Sequence, residues 1–201
     1  MMRRRPFNMI CSDLPTSVEV AGRRWPINTA TSVCLDCMEL LQDADREKDE
    51  GVKTLYILRA LYPTQPPASC AGEAMEAAVG FLRGAPVPEY GKTNLPHSDE
   101  PVIYWALDAG ALLASFRQAY GMDREAVRRM HWWEFLQLLW NLPADTRMGQ
   151  LFATRSHVID PKAKGEQRLR EGEVKKGARP KDERTREEKK RDAMKALASA
   201  L

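Results

Sequence analysis

The chain has 201 residues, a hydrophobic content of 43% and a formal net charge of +3, which suit one globular domain of ordinary size with an additional segment. Its four cysteines are too few and too scattered for a secreted disulfide framework, so we expect reduced thiols. We find neither a secretion signal nor the roughly 18 consecutive apolar residues of a membrane span, and we expect the protein to stay in the compartment where it is made.

Positive charge is concentrated in the C-terminal part of the chain. From Asp160 to Leu201 there are 14 Lys and Arg against 9 Asp and Glu, and apolar residues become sparse after Ile159. Such a segment cannot bury enough surface to fold alone. We therefore expect a flexible N-terminus at 1–13, a helical domain at 14–159 and a charged tail at 160–201 that is disordered or partly helical.

Residues Ser17 to Asn28 predict a short β-hairpin. Valines alternate with polar residues before a turn at Ala21–Gly22, and Trp25 and Ile27 then resume the alternation. An isolated hairpin is marginal in water, so its apolar face is expected to rest on helices.

Three helices are predicted to follow the hairpin. The first runs from Thr31 to about Asp45, the second from Gly51 to Leu61, and the third, capped by Ser69, ends at Phe81–Leu82. A loop of about fifteen residues then forms a candidate hinge or contact surface. In the second helix five apolar residues are assigned to one side: Val52, Leu55, Tyr56, Leu58 and Leu61.

Ser98 to Pro101 predicts the start of the clearest helix in the chain. This segment supplies a capping hydroxyl, two acids and a proline, all of which are favoured at a helix N-terminus. Apolar residues then recur along one stripe as far as Tyr120. Gly121 stands where a left-handed C-cap residue is expected.

Shorter helical segments are predicted beyond Gly121. Asp123 is expected to cap a short turn, and Trp132 to Leu142 is apolar almost all round, which is typical of a helix buried on most sides. Asp145 or Thr146 can cap a last helix. These elements together predict a mainly α-helical domain of about five to six helices with a small N-terminal hairpin.

Cys34 and Cys37 have the C-x-x-C spacing of redox and zinc sites. The same spacing also fits one face of an amphipathic helix. A structural zinc ion needs two further ligands at matching spacing, whereas Cys70 and the three histidines lie far away in the sequence. Core packing is the favoured interpretation, and a metal or redox site is the alternative.

The three histidines are candidate general bases: His97, His131 and His157. None adjoins a nucleophile motif, and we find no G-x-S-x-G, no H-E-x-x-H and no Gly-rich phosphate loop. We therefore expect no enzymatic activity, no cofactor and no metal ion, although a site assembled in space leaves no local motif.

The charged tail has two candidate binding features. Its basic runs, such as Lys175-Lys176 and Lys189–Arg191, could neutralise phosphates, but interleaved acids and the absence of aromatic residues disfavour nucleic acid as a partner. Arg184 to Leu201 consists of good helix formers and is predicted to fold against a partner. Its candidate contacts are Met194, Leu197 and Leu201.

Four residues of the aromatic segment are the other candidate partner contacts: Trp132, Trp133, Phe135 and Leu139. Aromatic side chains of this kind dominate interface energetics, and they equally fill cores. Because three tryptophans within nine residues exceed what a small helical domain easily encloses, we expect one of them to face a partner.

Several strings with aromatic residues and prolines carry a family resemblance. They are Leu14–Thr29 (LPTSVEVAGRRWPINT), His131–Leu139 (HWWEFLQLL), Asn141–Thr146 (NLPADT), Arg155-Ser156 and Ile159–Lys162 (IDPK). In this order and spacing they resemble the bacteriophage gene-product-fifteen family. The resemblance covers about residues 14–162 and brings no catalytic residues with it.

The resemblance implies a tail assembly chaperone, which holds the tape measure protein of a long-tailed phage soluble in the host cytoplasm until tail tube subunits polymerise around it. Another tail component as partner, and self-association into a homo-oligomer, are left open. One rival interpretation is a structural neck or tail component of the virion. The other is a nucleic-acid-binding accessory protein that acts through the basic tail.

Overall fold

The computed structural model describes residues 8–42, 49–85, 101–157 and 164–179. The chain divides into two compact units, Met1–Val158 and Ile159–Leu201. Within the described residues, the first unit contains one two-stranded sheet and seven α-helices, and the second contains one helix. The predicted class, mainly helical with an N-terminal hairpin, is confirmed. The elements are β1 (Ser17–Val20), β2 (Arg23–Pro26), α1 (Thr31–Gln42), α2 (Glu50–Leu61), α3 (Ala71–Leu82), α4 (Trp105–Tyr120), α5 (Arg124–Arg129), α6 (Trp132–Trp140), α7 (Arg147–Ser156) and α8 (Glu166–Gly177).

The hairpin turns where the sequence predicts it and packs on α3. Ala21 and Gly22 have φ values of +50° and +73°, as a two-residue turn between twisted strands requires. Val20 and Ile27 are buried, and the backbone N–H of Ala21 donates to Glu73 Oε2 of α3 at 3.1 Å. The hairpin therefore gains its stability from a helix, as expected.

The inward side of α2 differs from the prediction. Its buried apolar residues are Ile57, Leu58 and Leu61, whereas Val52, Leu55 and Tyr56 lie on the outer side. The assignment of all five predicted residues to one side is therefore wrong. The helix carries apolar residues around most of its circumference, so their spacing alone did not reveal which arc faces the core.

Two predicted helix starts also need correction. The predicted Ser69 cap is wrong, because Ser69 lies within a 3₁₀ turn (Ala68–Cys70) and the residue before α3 is Cys70, whose side chain makes no capping bond. Helix α4 begins at Trp105, four residues after Pro101, and positions 98–100 lie outside the described residues. The α4 start is held from outside the helix, since Gln42 Oε1 accepts the Trp105 N–H at 2.9 Å.

Other predicted helix ends are confirmed. Gly121 is left-handed at φ +65°, Asp123 accepts the N–H of Ala126, and Thr146 accepts the N–H of Gly149. The segment predicted as a short turn forms α5, which accounts for one helix beyond the expected five or six. Helix α6 ends at Trp140, two residues before the predicted Leu142.

A buried ion pair connects α4 to α7. Arg155 donates to both carboxylate oxygens of Asp108, at 2.5 and 2.9 Å, and both side chains are 3% exposed. Arg155 also donates to the Val102 carbonyl at 3.0 Å, and Asp108 accepts the Tyr104 N–H at 2.8 Å. Both charges are thus paired and hydrogen-bonded, as burial demands.

Helix α8 is the described part of the second unit. It spans Glu166–Gly177, whereas the sequence placed its helix-forming segment at 184–201, which lies outside the described residues. Across the four described ranges, no helix is long and apolar enough to cross a membrane.

Candidate functional site

Helix α2 presents a row of apolar side chains to solvent. Val52 and Leu55 are each 50% exposed, and Tyr56 is 44% exposed. These three residues, here called the α2 stripe, are three and four positions apart and therefore lie side by side on one helical face. Arg59 extends this face by another turn. Because burial of such side chains is favourable, the stripe is suited to contact with another protein.

The α2 stripe adjoins the outer face of α1. The hydroxyl of Tyr56 donates a hydrogen bond to Oδ2 of Asp36, which joins the two helices on their solvent side. The opposite face of α1 carries Cys34, Cys37 and Leu40 into the core. One face of α1 therefore packs in the core, and its opposite face lies beside the α2 stripe on the surface.

A groove also adjoins the outer face of α1. Helices α1, α4 and α5 border this groove. It encloses about 340 Å³ and is here called the α1–α5 groove. The larger apolar residues that line it are Leu35, Trp105, Leu112, Leu113, Val127 and Phe135. Its charged lining is divided, because Asp36 and Glu39 come from α1 while Arg124 and Arg128 come from α5.

Three of the four predicted contacts on α6 belong to the core. Trp132 and Leu139 have no exposed surface, and Phe135 is 1% exposed at the base of the α1–α5 groove. Trp132 stacks on Phe135 with ring centres 5.3 Å apart, and Phe135 stacks on Phe116 at 5.1 Å. The structure thus places these three residues inside the domain.

Trp133, the fourth predicted contact, is half-buried against the end of α3. Its indole N–H donates to the Phe81 carbonyl at 2.9 Å, and its ring stacks on Phe81 with centres 5.9 Å apart. The indole of Trp132 donates to the next carbonyl, Leu82, at 2.8 Å. The last carbonyls of a helix lack partners within that helix, so both tryptophans complete the C-terminus of α3. Of the three tryptophans in this segment, Trp140 is the one that is 49% exposed.

His131 joins two of the strings that carry the family resemblance. Its Nδ1 accepts the N–H of Trp133 at 3.1 Å, which caps α6, and its Nε2 lies 3.0 Å from the Pro15 carbonyl. A ring that accepts at Nδ1 carries its proton at Nε2 and so donates to Pro15. The N–H of Trp132 also donates to the Thr29 carbonyl, at 2.7 Å. No sequence pattern predicted this structural role of His131.

The C-x-x-C cysteines face the core. Cys34 and Cys37 are fully buried, and burial raises the pKa of the Cys37 thiol to about 12. Burial also raises the pKa of Cys34. Thiols that stay protonated are poor nucleophiles and poor metal ligands. Among the residues that the structure describes, no cluster of three His, Cys, Asp or Glu side chains could hold a metal ion.

Comparison with known proteins gives the family. A family model described as "Bacteriophage Gp15 protein" matches residues 10–178. The chain belongs to the bacteriophage Gp15 family. No curated protein and no solved structure matches the chain.

The Gp15 match confirms the resemblance carried by the aromatic and proline strings, and it identifies a phage protein. The matched span includes the α2 stripe and the α1–α5 groove. The predicted contacts of the tail, Met194, Leu197 and Leu201, lie beyond the match and outside the described residues. For this Gp15 protein the candidate site is thus the outer surface of α1 and α2, which sequence reasoning did not select.

Proposed function

We propose that this phage protein is a tail assembly chaperone that acts without catalysis, in the host cytoplasm, by binding exposed apolar helices of the tape measure protein. The α2 stripe is the observation that carries this proposal. A protein whose core already encloses large aromatic residues still leaves three neighbouring apolar side chains half-exposed on one helix. An amphipathic helix is recognised by such a surface through anchors at helical spacing.

The α2 stripe also fits the reversibility that a chaperone needs. Three half-exposed side chains offer a modest apolar area, and area of this size supports weak binding rather than a permanent interface. Reversible binding allows the partner to leave when tail tube subunits compete for the same apolar surface.

The decisive experiment is co-expression with the tape measure protein of the same phage, followed by recovery of the complex. Leu55→Glu places a charge in the middle of the α2 stripe, and we expect it to weaken binding by about 10-fold or more, since a charge cannot be buried against apolar anchors without cost. Helix α2 should tolerate the change, because Glu at 55 stands four positions before Arg59 and favours the helix.

A matched control is available on α4. Leu107 is 60% exposed and lies on the side of α4 that faces away from the groove, so Leu107→Glu makes the same chemical change elsewhere. We expect this variant to recover the tape measure protein like the wild type. Equal loss in both variants, or recovery by Leu55→Glu at the wild-type level, would contradict the α2 stripe as the site.

Mature particles separate this proposal from the rival of a structural virion component. A chaperone leaves when assembly ends, so we expect purified virions to contain the chain at far below one copy per tail ring. Quantitative mass spectrometry of purified particles measures this ratio, and a stoichiometric amount would favour the structural role.

A further inference from the structure

The α1–α5 groove carries opposite charges on two of the helices that border it. Asp36 and Glu39 lie on the α1 border, and Arg124 and Arg128 lie on the α5 border. Both arginines form ion pairs with Glu125 of the same helix, at 3.3 and 3.6 Å, and their side chains remain 65% and 46% exposed. With two arginines against one glutamate, the α5 border keeps a net positive charge that can be reached from solvent. Between the two borders the lining is mostly apolar. A ligand of one charge sign would meet attraction along one border and repulsion along the other.

The size of the groove limits what enters it. One turn of a helix about 10 Å wide and 5.4 Å long occupies roughly 400 Å³. The groove has a volume of about 340 Å³, which is comparable to a single turn and too small for several turns of a helix. It therefore accepts the side chains from one face of a helix, such as two apolar residues one turn apart, while the helix axis stays outside.

A hydrogen bond joins the groove to the α2 stripe. Asp36 lines the groove and accepts the hydroxyl hydrogen bond of Tyr56 in the stripe. The two apolar regions therefore flank the same face of α1. A helix bound in the groove would contact the same partner-binding surface as the α2 stripe.

We propose that the α1–α5 groove binds an amphipathic helix that has two apolar anchors one turn apart, a cationic edge toward α1 and an anionic edge toward α5. This assignment rests on the proposed function, because it specifies the kind of partner helix that the chaperone surface accepts. The divided charge also fixes the direction of the bound helix, since reversing its direction exchanges its two edges.

Three synthetic helical peptides test the groove directly. All carry the same two leucine anchors; the first has lysines on one edge and glutamates on the other, the second has lysines on both edges, and the third has glutamates on both. With the full-length protein, calorimetric titration should show the first peptide binding at least ten-fold more tightly than the other two. Equal affinities, or no binding of the first peptide at millimolar concentration, would overturn the proposal.

Reversing the charge of one border should change the preferred peptide. In Arg124→Glu/Arg128→Glu both borders are acidic, so the all-lysine peptide should become the tightest binder. In Asp36→Lys/Glu39→Lys both borders are basic, and the all-glutamate peptide should bind most tightly. The Asp36→Lys/Glu39→Lys variant loses the Asp36–Tyr56 hydrogen bond, which can disturb folding. The arginine variant keeps this bond and alters only exposed residues of α5, so it tests the groove even if the lysine variant does not fold. A preference that does not change in the folded variants contradicts the groove assignment.

The peptide experiment is independent of the tape measure experiment. If Leu55→Glu leaves tape measure recovery intact while the peptides show the expected order, the groove proposal stands and the α2 stripe fails. If the peptides bind without charge preference while Leu55→Glu abolishes recovery, the chaperone proposal stands and the divided groove fails.

Discussion

Asp108 and Arg155 show what a single buried residue contributes to this domain. Each is paired with the other inside the protein, and each also makes a bond to backbone near the start of α4. We expect Arg155→Met to destabilise the domain by roughly 3–5 kcal/mol, because it leaves the Asp108 carboxylate buried without its partner. Urea denaturation followed by circular dichroism measures the change.

The double variant provides the control for this pair. Asp108→Leu/Arg155→Met removes both charges, so its loss of stability should be well below the sum of the two single losses. Additive losses would show that the two residues stabilise the domain separately.

The buried thiols make the stability of the domain depend on pH. Burial raises the pKa of the Cys37 thiol from its ordinary value of 9.0 to about 12. Between these two pH values the folded protein keeps the thiol protonated, whereas the unfolded chain releases the proton. The resulting stabilisation is complete below pH 9 and is lost as the pH rises toward 12. Near pH 8 we expect a thiol reagent to modify the exposed Cys11 rapidly and Cys34 and Cys37 only after unfolding. Rapid modification of both core thiols in the native protein would contradict their burial.

Close approach between elements explains a glycine that the sequence did not single out. A Cβ on Gly149 in α7 would lie 2.3 Å from the Pro143 carbonyl oxygen and 3.0 Å from Ala144 Cα. We expect Gly149→Ala to cost about 1–3 kcal/mol, because backbone atoms cannot move aside easily. Gly110 in α4 is the matched control, since a Cβ there meets nothing within 4 Å. Gly110→Ala should stabilise the protein by about 0.5–1 kcal/mol, and thermal unfolding of the two variants should therefore shift in opposite directions.

The sequence predicted elements better than it predicted their faces. Caps at Gly121, Asp123 and Thr146 were found because each depends on one residue and its own backbone. The face of α2 was missed because Ile57 and Leu55 are equally apolar and only tertiary packing decides which one is enclosed. The roles of Gln42 and His131 depend on backbone groups 63 and 116 residues away, which no local pattern encodes.

At the scale of the whole molecule, the buried aromatic core lies within the first compact unit. Trp132, Phe135 and Phe116 stack there, and the candidate site is built on helices of the same unit. In contrast, α8 has an exposed Leu169 and an exposed Val174 as its large apolar residues. Folding energy from apolar burial should therefore come mainly from the first unit.

A chain that ends at His157 tests this division. We expect it to unfold cooperatively at a temperature within a few degrees of the full-length protein, because the stacked aromatic core and the Asp108–Arg155 pair both remain. The groove residues also remain, so its preference among the three peptides should match that of the full chain. Arg155→Met in the same truncated chain is the control for a real folding transition, since it should lower the unfolding temperature there as it does in the full-length protein. A truncated chain that shows no cooperative transition would mean that residues 158–201 supply stability that the core of the first unit does not.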